Sequence, residues 1–420
     1  MSGLRAGYGE AVITPPMGVE LSGYGFYLER RATGVLDDLK ARAVVLDDGL
    51  TRLVLASCDL IGFDLKTADA LRAKIARLAD VAPDHTLLAC THTHTGPATQ
   101  PLAGIGEQDP AYMERLPALV LDAAGAALAD LHETELAFAS GILEPIGYNR
   151  RTGGFSPLDA TLAVGCLRRK QRSIYLLNYA CHAVVLGRSP QVSADWPGAA
   201  VRAVEARGHR AVFFQGFCGD IDPVTNRNRW GGGDADDLKL YGEIIADRAV
   251  KSALRAPAAA DVRLRAAEER VRIPLAVPPR ERIPAEARAF LDANSAFPRA
   301  DRFAAAWEKE ALARHAEFLA RPYLDGLPVQ ALALGGLRVV GLPAEVFTAF
   351  ALKLRESCPA LFPVGYANGN TGYWPPREAF RDRNDYGCYA APKFYALFPF
   401  TEELETIVLE ACGRVIADVG

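Results

Sequence analysis

The chain has 420 residues, of which 50% are hydrophobic and 23% are charged, and its formal net charge is −4 at pH 7. This balance is typical of a globular protein that is long enough for a large core or two domains. It shows no basic surface of the kind that binds nucleic acid, and no apolar run reaches the roughly 18 residues of a membrane helix. We therefore expect a small-molecule substrate, no nucleic-acid partner and no stable membrane insertion.

The first residues and the cysteines indicate where the protein acts. The opening segment MSGLRAGYGEAVITPP contains no apolar stretch typical of a secretory signal. The 8 cysteines are scattered and include no C-x-x-C pair, so we expect reduced core residues. A cytoplasmic location follows from both observations as a prediction.

Strand-like and helical patterns alternate along the chain, which predicts an α/β fold with mixed β-sheets flanked by α-helices. No internal repeat or linker is evident, so residues 1–420 are expected to form a single catalytic domain, and the Ala-, Arg- and Glu-rich stretch 281–321 is the nearest thing to an insertion. The predicted elements are, in chain order, strands at 41–48 and 51–60 around the turn Asp47-Asp48-Gly49, a helix at 64–80, a strand at 86–90, a helix at 112–131, strands at 135–147, 162–168 and 173–185, a helix at 198–208, a strand that begins at 210 and runs into a glycine loop ending at 223, one or two surface helices at 281–321, and a strand, turn and helix at 336–356.

Two of the 7 histidines, His92 and His94, follow the predicted strand 86–90 within three positions. In an extended segment, residues i and i+2 point to the same side, so both imidazoles would face one way at a strand end. Imidazole is a common metal ligand and a general acid or base near neutral pH. The alternative is that two polar residues simply follow a strand and cap its turn.

His182, Asp220 and Asp222 also lie where the surrounding sequence favours burial. His182 interrupts the apolar run LLNYACHAVVLG, although a single histidine there is more often a hydrogen-bonded core residue. Asp220 and Asp222 follow FFQGFCG, and buried carboxylates are costly unless they are paired or bound. Turn formation and helix capping are the alternative explanation for the two acids.

Glu345 and Tyr373 complete the set of candidate residues. Glu345 follows the predicted strand 336–341 at a helix start, where the helix dipole alone favours an acid. Tyr373 lies in the segment YANGNTGYWPP, which is too rich in Gly and Asn for regular structure. Two histidines and a carboxylate from separate strand ends are a ligand set typical of catalytic zinc, so we expect one zinc ion, whose remaining position would hold a water with a lowered pKa.

Nine segments of the chain resemble the neutral/alkaline (non-lysosomal) ceramidases, in the order of that family and across nearly the whole sequence. The resemblance implies a zinc amidase that cleaves an N-acyl amide, on a domain of two mixed β-sheets flanked by helices. The segments are AVITPP (11–16), LDDLKARAVVLDDG (36–49), THTHTGP (91–97), YNRR (148–151), NYACHAVVLG (178–187), VSADWPG (192–198), FFQGFCGDIDP (213–223), GLPAEVFT (341–348) and ANGNTGYWPP (367–376).

The resemblance also implies roles for individual residues. It implies that zinc is bound by four side chains, and that His94 and Arg150 line the pocket and hold the scissile carbonyl or its developing oxyanion. From their own chemistry, and not from the resemblance, we add Asp220 and Asp222 to His94 and Arg150 as candidate catalytic residues. The implied zinc ligands are His92, His182, Glu345 and Tyr373.

Three departures from the family favour a different substrate. Where characterised ceramidases have G-(N/D)-x-S-P with an essential serine, this chain has Asp222 at the serine position of Gly219–Pro223. The chain ends at Gly420, so we do not expect the C-terminal β-sandwich domain of larger ceramidases. A secretory signal and a membrane-docking segment are not expected either.

Three hypotheses follow for the function. The chain is a zinc hydrolase of a small, soluble amide, ester or lactone, which Asp222 favours, or it is a true ceramidase (N-acylsphingosine amidohydrolase). The third, from another class, is a non-catalytic metal or ligand binder, against which the complete set of four ligand residues argues.

Overall fold

Strands and helices alternate along residues 3–420, the part of the chain that the computed structural model describes. The mixed α/β fold predicted from the sequence is confirmed. The strands are β1 (Arg5–Val12), β2 (Gly34–Val35), β3 (Lys40–Asp47), β4 (Arg52–Cys58), β5 (Thr86–Cys90), β6 (His132–Glu133), β7 (Glu135–Ile142), β8 (Gly147–Asn149), β9 (Thr161–Arg168), β10 (Ile174–Tyr179), β11 (Gln191–Val192), β12 (Arg210–Gln215), β13 (Ile221–Pro223), β14 (Leu264–Pro274), β15 (Tyr323–Leu334), β16 (Leu337–Gly341), β17 (Glu345–Val346), β18 (Leu361–Val364) and β19 (Tyr373–Trp374). The α-helices are α1 (Leu65–Ala79), α2 (Pro110–Ala129), α3 (Asp195–Glu205), α4 (Ala235–Arg255), α5 (Ile283–Ala293), α6 (Ala300–Ala320), α7 (Thr348–Ser357) and α8 (Glu403–Asp418).

Three larger sheets carry the architecture, with strand orders β5-β4-β3-β1-β6, β12-β10-β9-β7 and β14-β15-β16-β18. Each sheet combines antiparallel neighbours with one parallel pair, namely β4 with β5, β10 with β12, and β16 with β18. The strands of a parallel pair end at the same edge of their sheet. Loops that follow these pairs therefore leave each sheet from one edge, and this is where α/β folds place their binding sites.

The hydrophobic core lies between the sheets and beneath the helices. One cluster of buried residues joins all three sheets. It includes Leu55 from the first sheet, Leu176 from the second and Val339 from the third. Helices α1 to α4 cover the outer faces of the first two sheets, and α5 to α8 cover the third. Side chains alternate accordingly along β10, because Leu176 joins the central cluster while Tyr175 and Leu177 join the outer one.

The predicted hairpin at Asp47-Asp48-Gly49 is confirmed. Strands β3 and β4 pair antiparallel with Asp47 opposite Arg52. The side chain of Asp47 accepts a hydrogen bond from the Gly49 amide at 2.8 Å, and that of Asp48 accepts from the amides of Leu50 and Thr51. These bonds satisfy the amides of the turn and fix the register of the two strands.

The strand predicted at 173–185 is shorter than expected and ends at Tyr179. Beyond Tyr179 the backbone leaves the sheet because the side chain of Gln215 replaces strand partners. Its amide oxygen accepts from the Cys181 amide at 3.4 Å, and its amide nitrogen donates to the Cys181 carbonyl at 2.8 Å. His182 therefore lies in the irregular segment that follows the strand.

Segment 281–321 forms two helices, α5 and α6, which agrees with the predicted helix content. The prediction that these are surface helices is only half right. Each buries one apolar face against the third sheet and its neighbours, and Phe290, Phe303 and Trp307 are members of that core cluster. The segment is therefore packed into the fold, and a single domain over 1–420 stays a prediction.

The state of the cysteines and the polarity of the helices were both predicted from the sequence. All eight cysteines are buried and free of disulfide bonds, as expected for core residues. Across residues 3–420, none of the helices combines the length and the apolar character needed to cross a membrane.

Gly9 is a sensitive packing position, because α2 crosses β1 directly above it. A Cβ atom at Gly9 would collide with the Ala123 carbonyl oxygen and the Ala127 amide nitrogen, whereas a Cβ at Gly141 in β7 would meet no heavy atom within 4 Å. We expect Gly9→Ala to lower the free energy of unfolding by about 3 kcal/mol, the upper end of ordinary overpacking costs. Gly141→Ala is the matched control and should not be destabilised. Urea denaturation of both variants measures the difference, and equal midpoints would contradict this packing.

Candidate active site

The loops that follow the parallel strand pairs meet in one place. A backbone bridge between Thr93 and Ala183 joins the loops after β5 and β10, and the Gly219 amide donates to the Val346 carbonyl at 2.8 Å, joining the loop after β12 to β17. Pairing of β17 with β19 sets Glu345 directly opposite Tyr373. The loops or short strands that meet here carry all the candidate residues, which are His92, His94, Arg150, His182, Asp220, Asp222, Glu345 and Tyr373.

The structure brings the side chains of His92, His182 and Glu345 together, while their role as ligands of one zinc ion stays a prediction. The Nε2 atoms of both histidines lie 3.2 Å from the same Oε2 atom of Glu345. The Nδ1 atoms instead face backbone carbonyls, at 2.6 Å from Ile61 and 3.0 Å from Ile221. Because a carbonyl oxygen only accepts, each Nδ1 carries the hydrogen and each Nε2 presents a lone pair.

A cation fits this arrangement. Two imidazole lone pairs and a carboxylate oxygen face one another in a buried site. In these tautomers no hydrogen lies between them, so they repel one another, and a positive ion among them would relieve the repulsion. Nitrogen and oxygen donors of this kind suit zinc.

His94 belongs to the same cluster. Its Nε2 atom lies 3.0 Å from that of His92, and one ligand atom from each of His92, His94 and His182 lies within 4.8 Å of the others. Burial lowers the pKa of His94 and of His182, so both rings favour the neutral form that binds metals. His92 has a φ of +62°, a conformation that is uncommon for residues other than glycine and is typical of functional sites.

Arg150 links Tyr373 to the loop after β12. Its Nη2 donates to the Tyr373 hydroxyl at 2.9 Å and to the Gly219 carbonyl at 2.8 Å, and its Nη1 lies 3.3 Å from Oδ1 of Asp222. Burial disfavours the guanidinium charge, but Tyr373 and Asp222 outweigh it and raise the pKa of Arg150 above its ordinary value. The Tyr373 hydroxyl accepts this hydrogen bond from Arg150, and its role as a metal ligand stays a prediction.

The two acids of the glycine loop have different surroundings. Asp222 lines the cavity described below, and its Oδ1 lies 3.8 Å from Nδ1 of His182. Asp220 accepts from the Thr348 amide and the Asn149 side chain, each at 2.8 Å, and burial raises its pKa to about 6. These contacts favour a structural role for Asp220, and its catalytic role stays a prediction.

Sequence reasoning missed three tyrosines at this site. The Tyr395 hydroxyl donates to Oε1 of Glu345 at 2.5 Å, and the Tyr366 ring stacks on His92 with centroids 4.0 Å apart. Tyr24 packs on His94 with ring centroids 4.9 Å apart. Only Tyr366 lies in a segment that the sequence singled out, as the first residue of YANGNTGYWPP. Tyr24 and Tyr395 were missed because tyrosines in mixed contexts look like ordinary core residues.

A cavity of about 650 Å³ opens beside this centre. It combines charged groups with an aromatic wall, and Phe297 from the α5–α6 connection contributes to that wall. Lining residues are Tyr24, Phe26, His94, Tyr148, Arg150, Arg151, His182, Arg188, Asp222, Trp230, Phe297, Phe347, Tyr373, Asp382, Asp385, Tyr386 and Phe394, among others.

Comparison with known proteins identifies the fold. The sequence matches no family model and no curated protein. The structure is similar to the neutral ceramidase from Pseudomonas aeruginosa, with a TM-score of 0.74, and to a ceramidase complexed with C2, with a TM-score of 0.75. Identity is 17% in both cases, over 99% of this chain and 75% of the other. At this identity the likeness shows that the chain has the fold of a ceramidase catalytic domain. It does not by itself show that the chain belongs to the ceramidase family.

The contacts of Asp220 generate a stability prediction. Asp220→Ala should lower the free energy of unfolding by at least about 2 kcal/mol, because the Thr348 amide and the Asn149 side chain lose their buried partner. The exposed Asp382, whose side chain accepts only from the nearby Asn384 amide among its hydrogen bonds in residues 3–420, is the control. Thermal unfolding of Asp220→Ala and Asp382→Ala measures the difference. If Asp220→Ala left the unfolding temperature unchanged, the structural role inferred for Asp220 would be wrong.

Proposed function

We propose that this protein is a zinc-dependent hydrolase of the neutral ceramidase type that attacks the carbonyl of an amide, ester or lactone. The observation that carries the proposal is the convergence of two imidazole lone pairs and one carboxylate oxygen, with Nε2–Oε2 distances of 3.2 Å, beside a cavity. His92, His182 and Glu345 would hold one zinc ion, with Tyr373 as the fourth ligand. A zinc ion there would polarise the substrate carbonyl and make water a stronger acid.

The remaining residues would orient the substrate and move protons. Arg150 is held by the Gly219 carbonyl and Asp222, so its guanidinium is oriented before substrate arrives and can donate to the developing oxyanion. Asp222 lines the cavity and can accept a proton from the attacking water, then return it to the leaving group. His94 also lines the cavity, and we propose that it donates to the substrate carbonyl.

We propose a small, soluble and partly polar substrate. Charged side chains on the cavity wall support this, because Arg150, Arg151, Asp222 and Asp385 would be desolvated at a cost by a purely apolar ligand. A volume of about 650 Å³ lies within the range of small-molecule sites. We also propose that the enzyme is cytoplasmic, which its free, buried cysteines support.

A second candidate is a true ceramidase that acts on N-acylsphingosine. Two observations favour it, namely the structural similarity to two ceramidase structures and the aromatic side of the cavity. Phe26, Phe297 and Phe394 form that side and could contact an acyl chain.

The metal proposal predicts the behaviour of two histidine variants. His182→Ala should be purified with less than about a tenth of the wild-type zinc, because it removes one of the three converging ligands. His132→Ala, at a histidine whose side chain is 67% exposed, is the matched control and should retain zinc. Elemental analysis after dialysis with zinc measures both. Full zinc occupancy in His182→Ala would refute this ligand set.

The proposed acid/base role of Asp222 predicts the activity of an Asp222→Asn variant. The activity of the wild-type protein on two kinds of compound distinguishes the two candidate substrates. Asp222→Asn should hydrolyse small amides and esters at least about a hundredfold more slowly, the effect of losing a general acid/base, while zinc content stays unchanged. Wild-type protein should show zinc-dependent hydrolysis of such compounds and little cleavage of long-chain ceramide. Cleavage of long-chain ceramide at ordinary turnover numbers, about 1–1,000 per second, would instead establish the ceramidase alternative. Absence of any zinc-dependent hydrolysis would sink the enzyme proposal.

A further inference from the structure

Arg188 is an unpaired cation on the wall of the cavity. The other cavity arginines are engaged, since Arg150 contacts Asp222 at 3.3 Å and Arg151 pairs with Asp385 at 2.6 Å. Within residues 3–420, Arg188 has neither a salt bridge nor a side-chain hydrogen bond, and its side chain is exposed beside the cavity. An exposed arginine is by itself ordinary on a protein surface.

Tyr24, on the same cavity, also carries a polar group without a partner in the described residues. It is only 6% exposed, and its hydroxyl has no hydrogen-bond partner in the described part of the chain, although the residue lines the same cavity. Arg30 stacks over its ring at 4.9 Å, but the guanidinium of Arg30 donates to backbone carbonyls, among them that of His94. A buried hydroxyl without a partner is costly, so a ligand atom that accepts from Tyr24 would complete the site.

The wall that carries these groups is held in place by close backbone packing. A Cβ atom at Gly187 would lie 2.6 Å from the Cα of Gly231, so two glycines let the loop bearing Trp230 press on the turn bearing Arg188. The Trp230 ring meets Tyr24 edge-on, with centroids 4.8 Å apart. Tyr24, Arg188 and Trp230 therefore form one surface, which we call the donor wall.

The donor wall is adjacent to the candidate metal centre, with only the His94 ring between Tyr24 and His92. Tyr24 packs on His94, and the His94 ring centroid lies 4.6 Å from that of His92. A group bound to the donor wall would therefore be close to a carbonyl held at the centre. The aromatic side of the cavity is apolar, with the Phe26 and Phe394 rings stacked at 5.8 Å and Phe297 46% exposed.

We propose that the donor wall binds a substrate carboxylate next to the scissile amide, which makes N-acyl amino acids the substrate class. The inference rests on the proposed hydrolase function. The carboxylate accepts from the Arg188 guanidinium and the Tyr24 hydroxyl, both charge-assisted hydrogen bonds, and the acyl group packs on the aromatic side. Water adds to the amide carbonyl, the C–N bond breaks, and the amine leaves with a proton, giving a carboxylic acid and a free amino acid.

Matched substrates test the carboxylate directly. N-octanoylglycine and N-octanoylglycinamide differ only in the charged group, and wild-type protein should hydrolyse the acid with at least about a tenfold higher kcat/KM. Arg188→Gln should lower kcat/KM for the acid by about ten- to a hundredfold, mainly through KM, and leave the glycinamide within twofold. Tyr24→Phe should weaken the same preference, and Arg188→Lys should retain part of it.

A charge control and a binding measurement complete the experiment. Arg229 lies in the loop that bears Trp230 but does not line the cavity. Arg229→Gln therefore removes a nearby positive charge and should keep the preference for the acid. Calorimetry with the His182→Ala variant measures binding of N-octanoylglycine without turnover, and adding Arg188→Gln should weaken it at least about tenfold. Hydrolysis of both compounds with no preference for the acid would overturn the inference and leave the hydrolase intact. Arg188-dependent binding without any hydrolysis would support the carboxylate site and remove the proposed function.

Discussion

Parallel strands end at the same edge of their sheet, and in this protein three such edges meet. Backbone hydrogen bonds join them, because the Cys90 amide donates to the Tyr366 carbonyl at 3.2 Å and the Gly365 amide donates to that of Gln215 at 3.0 Å. The chain thus brings side chains from distant parts of the sequence together through its backbone. The candidate active site exists because the sheets are joined in this way, and the surrounding helices cover their outer faces.

Much of this arrangement could be predicted from the sequence, since it depends on local pattern. The hairpin at Asp47-Asp48-Gly49 follows from its turn residues, and the helices follow from apolar spacing. His92 and His182 stood out because polar residues at the ends of apolar strands need a reason to be there. The end of β10 at Tyr179 could not be predicted, because it depends on the Gln215 side chain 36 positions away.

The surroundings of the site were hidden for the same reason. Tyr24 and Arg188 are separated by more than 160 residues, and neither has a local pattern that marks it. Asp220 and Asp222 looked alike in the sequence, and only the structure separates them, since Asp222 lines the cavity and Asp220 caps the Thr348 amide. Which groups an acid contacts is a property of packing, which short-range sequence patterns do not contain.

The hydrogen bonds from His92 and His182 to backbone carbonyls have a thermodynamic consequence. Together with the pairing of Glu345 opposite Tyr373, they fix the donor atoms as part of the folded chain. The conformational entropy of ordering these side chains is then lost on folding and not on binding of the metal ion that we propose. Small zinc domains differ, because their ligands become ordered only when the ion binds. In this chain the large hydrophobic core supplies the stability, so a metal ion bound at this centre, as we propose, could be removed and replaced without unfolding the protein.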